Sequence, residues 1–197
     1  EEVRLRVQRG FNKRLEVAYR IPYISRRLNL GADFSVADYR SRTISYNNIN
    51  NKQYFFEQAE GMPIQRTSVA AGLVHRQDVQ RQEGLRLSFH QEQVSDSVVL
   101  LNPEYYGNSI RSREYMRVEL YKVINRRSNF AYPLTGSYFE AGLAQTFFLT
   151  KAGAPYTTLR AKYANYSRLS GKLYYAVGAE GQLRLAKDYA FADNVAL

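Results

Sequence analysis

Polar and apolar residues alternate singly along most of this chain, and the alternation restarts many times. Leu15, Val17, Tyr19, Ile21 and Tyr23 fall on one side of the pattern, with Arg14, Glu16, Ala18, Arg20 and Pro22 on the other. Leu28, Leu30, Ala32, Phe34 and Val36 oppose Asn29, Gly31, Asp33, Ser35 and Ala37 in the same way. Successive side chains of a strand face opposite sides of its sheet, so each segment builds one apolar and one polar face. The segments run to about ten residues or more, against about five or six for an ordinary strand. Length, alternation and one-sided apolarity predict an all-β protein, an antiparallel transmembrane β-barrel.

About nine strands are predicted, near residues 2–10, 13–24, 27–46, 65–78, 84–97, 113–126, 134–150, 157–168 and 172–186. No segment sustains a helical period. Connections alternate in length: 24–27 is short, 47–64 long, 79–83 short, 98–112 long, 125–135 medium, 151–156 modest and 169–171 tight. Outer-membrane barrels place short turns on the periplasmic side and longer loops outside. That parity assigns 47–64, 98–112, 151–156 and the residues after Lys187 to the exterior, together with the short Gly10-Phe11-Asn12. A bacterial single-chain barrel has an even strand count, and lipid tolerates no unpaired edge. Residues 1–197 are therefore expected to be one part of a single, larger barrel domain, an interior segment of a longer protein.

Composition narrows the picture. The mean hydropathy of −0.48 leaves no stretch of the roughly 20 apolar residues that a spanning helix needs. Tyrosine (17) and phenylalanine (10) are abundant, tryptophan is absent, and tyrosine suits a membrane interface as well as any strand. There is no cysteine, which excludes disulfides and thiolate metal sites. The chain opens at Glu1-Glu2 with no basic-then-apolar leader, so a signal sequence is expected to be absent or already removed. The net charge is +10, carried mostly by arginines spread over nearly every segment rather than gathered in one patch. Such spreading fits a charged barrel interior and polyanionic lipopolysaccharide better than nucleic acid.

The sharpest charged set is Arg20, Arg40, Arg42, Arg86, Arg117 and Arg160, expected to face the lumen. It would either meet an inward acidic segment or substrate, or form salt bridges with Glu16, Asp33, Glu119, Glu140 and Glu180. Tyr19, Tyr23, Phe34, Phe89, Tyr163 and Tyr175 are expected on the lipid-facing or interfacial side. His90, beside Ser88 and Arg86 in the pattern, admits a Ser–His pair but reads better as part of a polar network. His75 carries no assigned role. The aspartates are scattered, and Gly31, Gly72, Gly142 and Gly178 read as sites of curvature or close packing, not a phosphate loop. No catalytic, cofactor-binding or metal-binding residue is expected.

Three short runs resemble a known family. Tyr19-Arg20-Ile21-Pro22-Tyr23-Ile24-Ser25-Arg26-Arg27-Leu28-Asn29-Leu30 looks like an aromatic-Pro-Tyr strand end followed by a basic turn and a long outgoing strand. Asn125-Arg126-Arg127 leading to Pro133 and Gly136 is similar to a periplasmic turn of that family, and Leu101-Asn102-Pro103-Glu104-Tyr105-Tyr106-Gly107 to an extracellular loop. The chain resembles the BamA/TamA family of outer-membrane assembly barrels (bacterial surface antigens), in the Bacteroidetes style. The resemblance implies a sixteen-stranded barrel, of which these would be the third to eleventh strands, with POTRA modules lying elsewhere. It implies a bacterial outer-membrane location and a non-enzymatic role without cofactors. Lipid, lipopolysaccharide, unfolded outer-membrane clients and accessory envelope proteins would be its partners, and nucleic acid would not. The rival readings are a passive porin or transporter barrel and a soluble basic β protein that binds nucleic acid.

Overall fold

A computed structural model describes residues 1–50 and 52–193. Nine long strands form one antiparallel sheet in chain order: β1 (Glu2–Gln8), β2 (Asn12–Ser25), β3 (Leu30–Ser41), β6 (Ile64–Arg76), β7 (Arg81–Val94), β8 (Ser112–Asn125), β9 (Gly136–Phe148), β10 (Tyr156–Ser170) and β11 (Leu173–Ala186). The all-β antiparallel expectation holds. Among the described residues the sheet is open: β1 hydrogen-bonds only to β2, and β11 only to β10.

The fourth and fifth strands differ from expectation. The segment expected as one strand over 27–46 begins at Leu30 and breaks at Arg42. There the Ser41 hydroxyl accepts the Thr43 amide proton (3.1 Å) and lies 2.7 Å from the Asn12 Oδ1, a local bond that competes with the ladder. Beyond the break the chain forms a separate hairpin in place of an open loop, β4 (Thr43–Ile49) with β5 (Lys52–Glu57). The next long connection opens with a short helix, α1 (Asp96–Leu101), too brief to leave a period in the sequence. Connections 26–29, 77–80, 126–135 and 171–172 lie at one end of the sheet, the short-turn end, and 9–11, 42–63, 95–111 and 149–155 at the other, the long-connection end; the alternation in length fails at 126–135, which is longer than 9–11 and 149–155.

Register makes the alternation continuous across the sheet. Leu73, Leu85, Leu120, Leu143, Leu159 and Leu183 are paired in turn, one leucine per strand from β6 to β11. This row floors a broad trough of about 990 Å³ on the apolar face. Burial is inverted relative to a soluble sheet. Leucines of the apolar face stay open, with Leu5 at 64% and Leu120 at 51%. The polar face is the covered one, where Ser88 is 9% and Arg113 3% exposed. Soluble monomers rarely expose a contiguous apolar patch of more than a few hundred Å².

The hydrophobic core proper lies off the sheet, at the long-connection end. Ile44, Ile64, Val94, Val98, Tyr105, Tyr106 and Ala152 pack there, flanked by Phe56 and Phe191. They bind β4, α1 and a 3-10 turn at Phe191–Asp193 into a cap.

Candidate functional site

Two surfaces carry the chemistry, and the first is the apolar face. On five consecutive strands, polar residues of that face stand eight residues apart: Thr67 and His75, Gln91 and Glu83, Glu114 and Lys122, Gln145 and Ser137, Thr157 and Asn165. Between each pair the residues of that face are all apolar, as in Val69, Ala71 and Leu73 or Leu85, Leu87 and Phe89. The polar positions are cross-linked. Thr67 donates to Asp38 at 3.0 Å, Gln91 to Glu114 at 3.2 Å, and Thr157 to Gln145. At the other margin His75 lies 3.2 Å from Glu83, which also meets Lys122 at 3.7 Å. Eight residues at 3.4 Å each give about 27 Å along the strand, or about 21 Å across a layer at a tilt of about 40°. Both margins step by four residues between β8 and β9, since Glu114 is level with Leu149, not Gln145, and Lys122 with Ala141, not Ser137. Such a stepped boundary is what tilted strands require if the band is to stay level.

The second surface is the polar face, where a cavity of about 840 Å³ is lined by seven strands, from Arg20 on β2 to Arg160 on β10. Arg20, Arg86, Arg117 and Arg160 all line it. Arg86 reaches across β6 to the Ser35 hydroxyl (3.0 Å) and to Asp33 (3.7 Å). Arg160 meets Glu140 at 2.7 Å, and Arg20 meets Glu2 at 3.8 Å. Salt bridges of the expected kind therefore form to Asp33 and Glu140, while Glu16 is paired by Arg14 (2.7 Å) and Glu180 by Lys162 (3.0 Å).

Two basic assignments are corrected. Arg40 lies on the apolar face, because β3 pairs without a bulge from Ala32 to Ser41 and keeps Arg40 in phase with Phe34 and Val36. It pairs with Asp38 at 2.9 Å in the polar margin. Arg42 lies in the break between β3 and β4 and lines no part of the cavity; its carbonyl accepts the Gln58 amide proton. Tyr19, Phe34, Phe89, Tyr163 and Tyr175 fall on the apolar face by register, whereas Tyr23 lies in the irregularity of β2 between Ile21 and Ser25 and packs under the Arg76 guanidinium (5.9 Å), beside Gln82 and Asn125 of the polar face.

The His90 Nε2 does lie 2.9 Å from the Ser88 Oγ. Ser88 is also 3.4 Å from the Arg117 carbonyl, so its hydroxyl is shared between the imidazole and a backbone acceptor. Ser88 also sits mid-strand, where its neighbours' amides are spent on the ladder and cannot form an oxyanion hole. The pair stacks with Tyr115 (centroids 4.7 Å apart) and belongs to a polar network. Among the described residues no cluster of three or more His, Asp or Glu could hold a metal.

At the cavity's long-connection end lies a cluster that the alternation did not predict. Arg113 donates to Glu92 (2.9 Å) and to Asp193 (2.9 Å), all three nearly fully buried. Arg66 reaches Glu92 at 3.4 Å. The Arg113 guanidinium packs on the Tyr106 ring at 4.5 Å. Burial pushes the Tyr105 and Tyr106 phenols up, and the Glu92 charge adds to it. Burial also raises the Asp193 carboxyl, outweighing the opposing pull of Arg113, which Glu92 shares. The only local signal was the Tyr105-Tyr106 pair within an Asn-rich connection. Compared with known proteins, the chain matches no family model and no curated protein.

Proposed function

We propose that the chain forms part of the wall of a transmembrane β-barrel in a bacterial outer membrane. The observation that carries this reading is the apolar band of β6 to β10, open to the surroundings and bounded on each strand by polar residues eight positions apart. A barrel wall needs an outward apolar band about 25 Å tall and a polar interior. An aqueous sheet with this face uncovered would forgo about 1.5–3 kcal/mol for each large side chain left unburied.

Within that reading we infer an assembly role of the BamA/TamA kind, helping other proteins insert into the outer membrane. The cap favours it over a passive porin: Arg113, Glu92, Asp193 and Tyr106 pack into a buried cluster at the long-connection end of the polar face, where a porin needs an open lumen. The role would be physical, exerted on lipid and on unfolded strands, and asks no reaction of any residue.

The test uses the absence of cysteine. Single cysteines placed at Leu87, Leu120 and Leu143 should react with a lipid-soluble maleimide and resist a water-soluble one in vesicles. Cysteines at Lys52 and Glu60, in the long connection between β3 and β6, should do the reverse. Ready water-soluble labelling at all five positions would overturn the membrane reading. Vesicles holding the full-length protein should also speed the folding of an unfolded outer-membrane client. Insertion without that acceleration would remove the assembly role and leave the barrel.

A further inference from the structure

The charge of the connections is divided unequally between the two ends of the sheet. Taking each connection between strands of the sheet with one flanking residue on either side, the long end carries five cations and four carboxylates. The short-turn end carries Arg26 and Arg27 in its first turn, Arg76 and Arg81 flanking the second, Arg126 and Arg127 in the third, and Lys172 in the fourth. Against these seven stands one carboxylate, Asp78. Most of the chain's net charge of +10 is thus gathered at one rim.

Each of those turns also exposes an apolar residue beside its cations. Leu28 is 61% exposed, Val79 95%, Phe130 64% and Leu173 58%. The long end exposes apolar residues too, Leu100, Phe55 and Leu149 among them, while Val98, Tyr105 and Tyr106 fold into the cap core, so the balance of charge is what sets the short-turn rim apart. Of the rim's cations, Arg76 donates to the Pro22 carbonyl (2.7 Å) and borders the polar cavity with Arg127, while Arg81 lies 3.7 Å from Asp78. Asp78 accepts from the Gln80 amide at the second turn, and Gly136, at φ +104°, closes the third, where a Cβ would come within 2.1 Å of the Arg126 carbonyl oxygen. Arg127 is braced between the rings of Phe130 (6.0 Å) and Tyr138 (4.8 Å).

We infer that the short-turn rim is a docking surface for the anionic phosphate headgroups of a phospholipid leaflet. The inference rests on the membrane reading above and adds to it the lipid that the rim selects. Charge complementarity carries it: cations lie just beyond the apolar band, at the level where phosphates end the acyl layer. The apolar tips beside them insert among the upper chains as amphipathic anchors do. The pattern recurs on all four turns instead of forming one patch, which suits a continuous leaflet better than a single acidic protein.

The chain contains no tryptophan, so single reporters can be placed cleanly. Full-length protein carrying Val79→Trp is inserted into vesicles in which either phosphatidylglycerol or phosphatidylcholine bears bromine near the headgroup, at equal mole fraction. Quenching should be about threefold stronger with brominated phosphatidylglycerol at low salt and should converge between the two lipids at high salt. The added substitutions R26Q, R27Q, R126Q and R127Q should bring the ratio close to one. A Leu120→Trp reporter in the band should be quenched equally by chain-brominated forms of both lipids, in the parent and in the variant. Quenched Leu120→Trp with no lipid preference at Val79→Trp overturns the rim inference and spares the membrane reading. No quenching at Leu120→Trp overturns the membrane reading itself.

Discussion

Tyr121 and Gly84 stand directly opposite each other on β8 and β7, and the tyrosine ring occupies the space that a side chain at Gly84 would need. A Cβ built there would come within 2.5 Å of the Tyr121 Cζ. The same device recurs one strand pair away, where Asp33 lies over Gly72, with a Cβ–Oδ1 distance of 2.5 Å. Bare backbone on the polar face thus lets long polar side chains lie flat and line the cavity.

Gly84→Ala should therefore force Tyr121 out of its place and destabilise the sheet by about 1–3 kcal/mol, the usual cost of overpacking. Denaturant titration in a membrane mimetic should show the loss. Adding Tyr121→Ser should restore most of it, because the clash is with one flexible ring. Equal midpoints for Gly84→Ala and the parent would refute the contact.

Arg113 is shared by two buried carboxylates, and its removal leaves Asp193 without its ion-pair partner and Glu92 with Arg66 alone. Arg113→Met should cost about 3–5 kcal/mol, as breaking a buried pair does. The effect should be local to the cap, read as faster hydrogen exchange over residues 95–111 and easier proteolysis there, with the strands of the band unaffected. Arg113→Lys should recover only part, since an ammonium cannot donate to Glu92 and Asp193 in the same fork or stack on Tyr106. Replacing Arg113, Glu92 and Asp193 together by apolar residues should be far milder than Arg113→Met alone.

The Asp193 carboxyl binds its proton more tightly in the docked 3-10 turn than when free, because burial raises it. For an acid raised in this way, docking is strongest below the ordinary aspartate range and weakens as pH climbs through the raised value. The amides of Phe191 and Ala192 report docking through their bonds to the carbonyls of Glu104 (3.2 Å) and Tyr105 (2.9 Å). Their protection, corrected for intrinsic exchange, should fall as pH rises, and Asp193→Asn should flatten the dependence. A parent profile that rises with pH would contradict the assignment.

Much of the fold was legible in the chain, and the parts that were not share one physical cause. Nine strands and their two faces arise from single alternation, since neighbours in sequence are what the pattern compares. Even Arg40 was readable: it is in phase with Leu30, Phe34 and Val36, and assigning it by charge instead of phase put it on the wrong face. The cap was not readable. Ile44, Val98 and Tyr106 form their core from segments with no local period, and Arg113 meets a carboxylate 80 residues away. Such contacts are selected by packing in three dimensions and leave no repeat behind.

The apolar band makes the sharpest demand on sequence. Leu120 lies at the waist of β8 with half its surface open, in the leucine row shared by Leu85 and Leu143. In water, replacing so open a residue by lysine should change stability by no more than about 0.5 kcal/mol. At the centre of a bilayer the same Leu120→Lys change should cost about 2–4 kcal/mol. Gln91→Lys, at the polar margin two strand-facing positions beyond Leu87, should cost about 0–1 kcal/mol. Folding titrations in lipid vesicles read both values in one series. A large loss at Leu120 with little at Gln91 is the mark of a band whose middle sits in hydrocarbon and whose edge does not; equal, small losses at both positions would place this face in water.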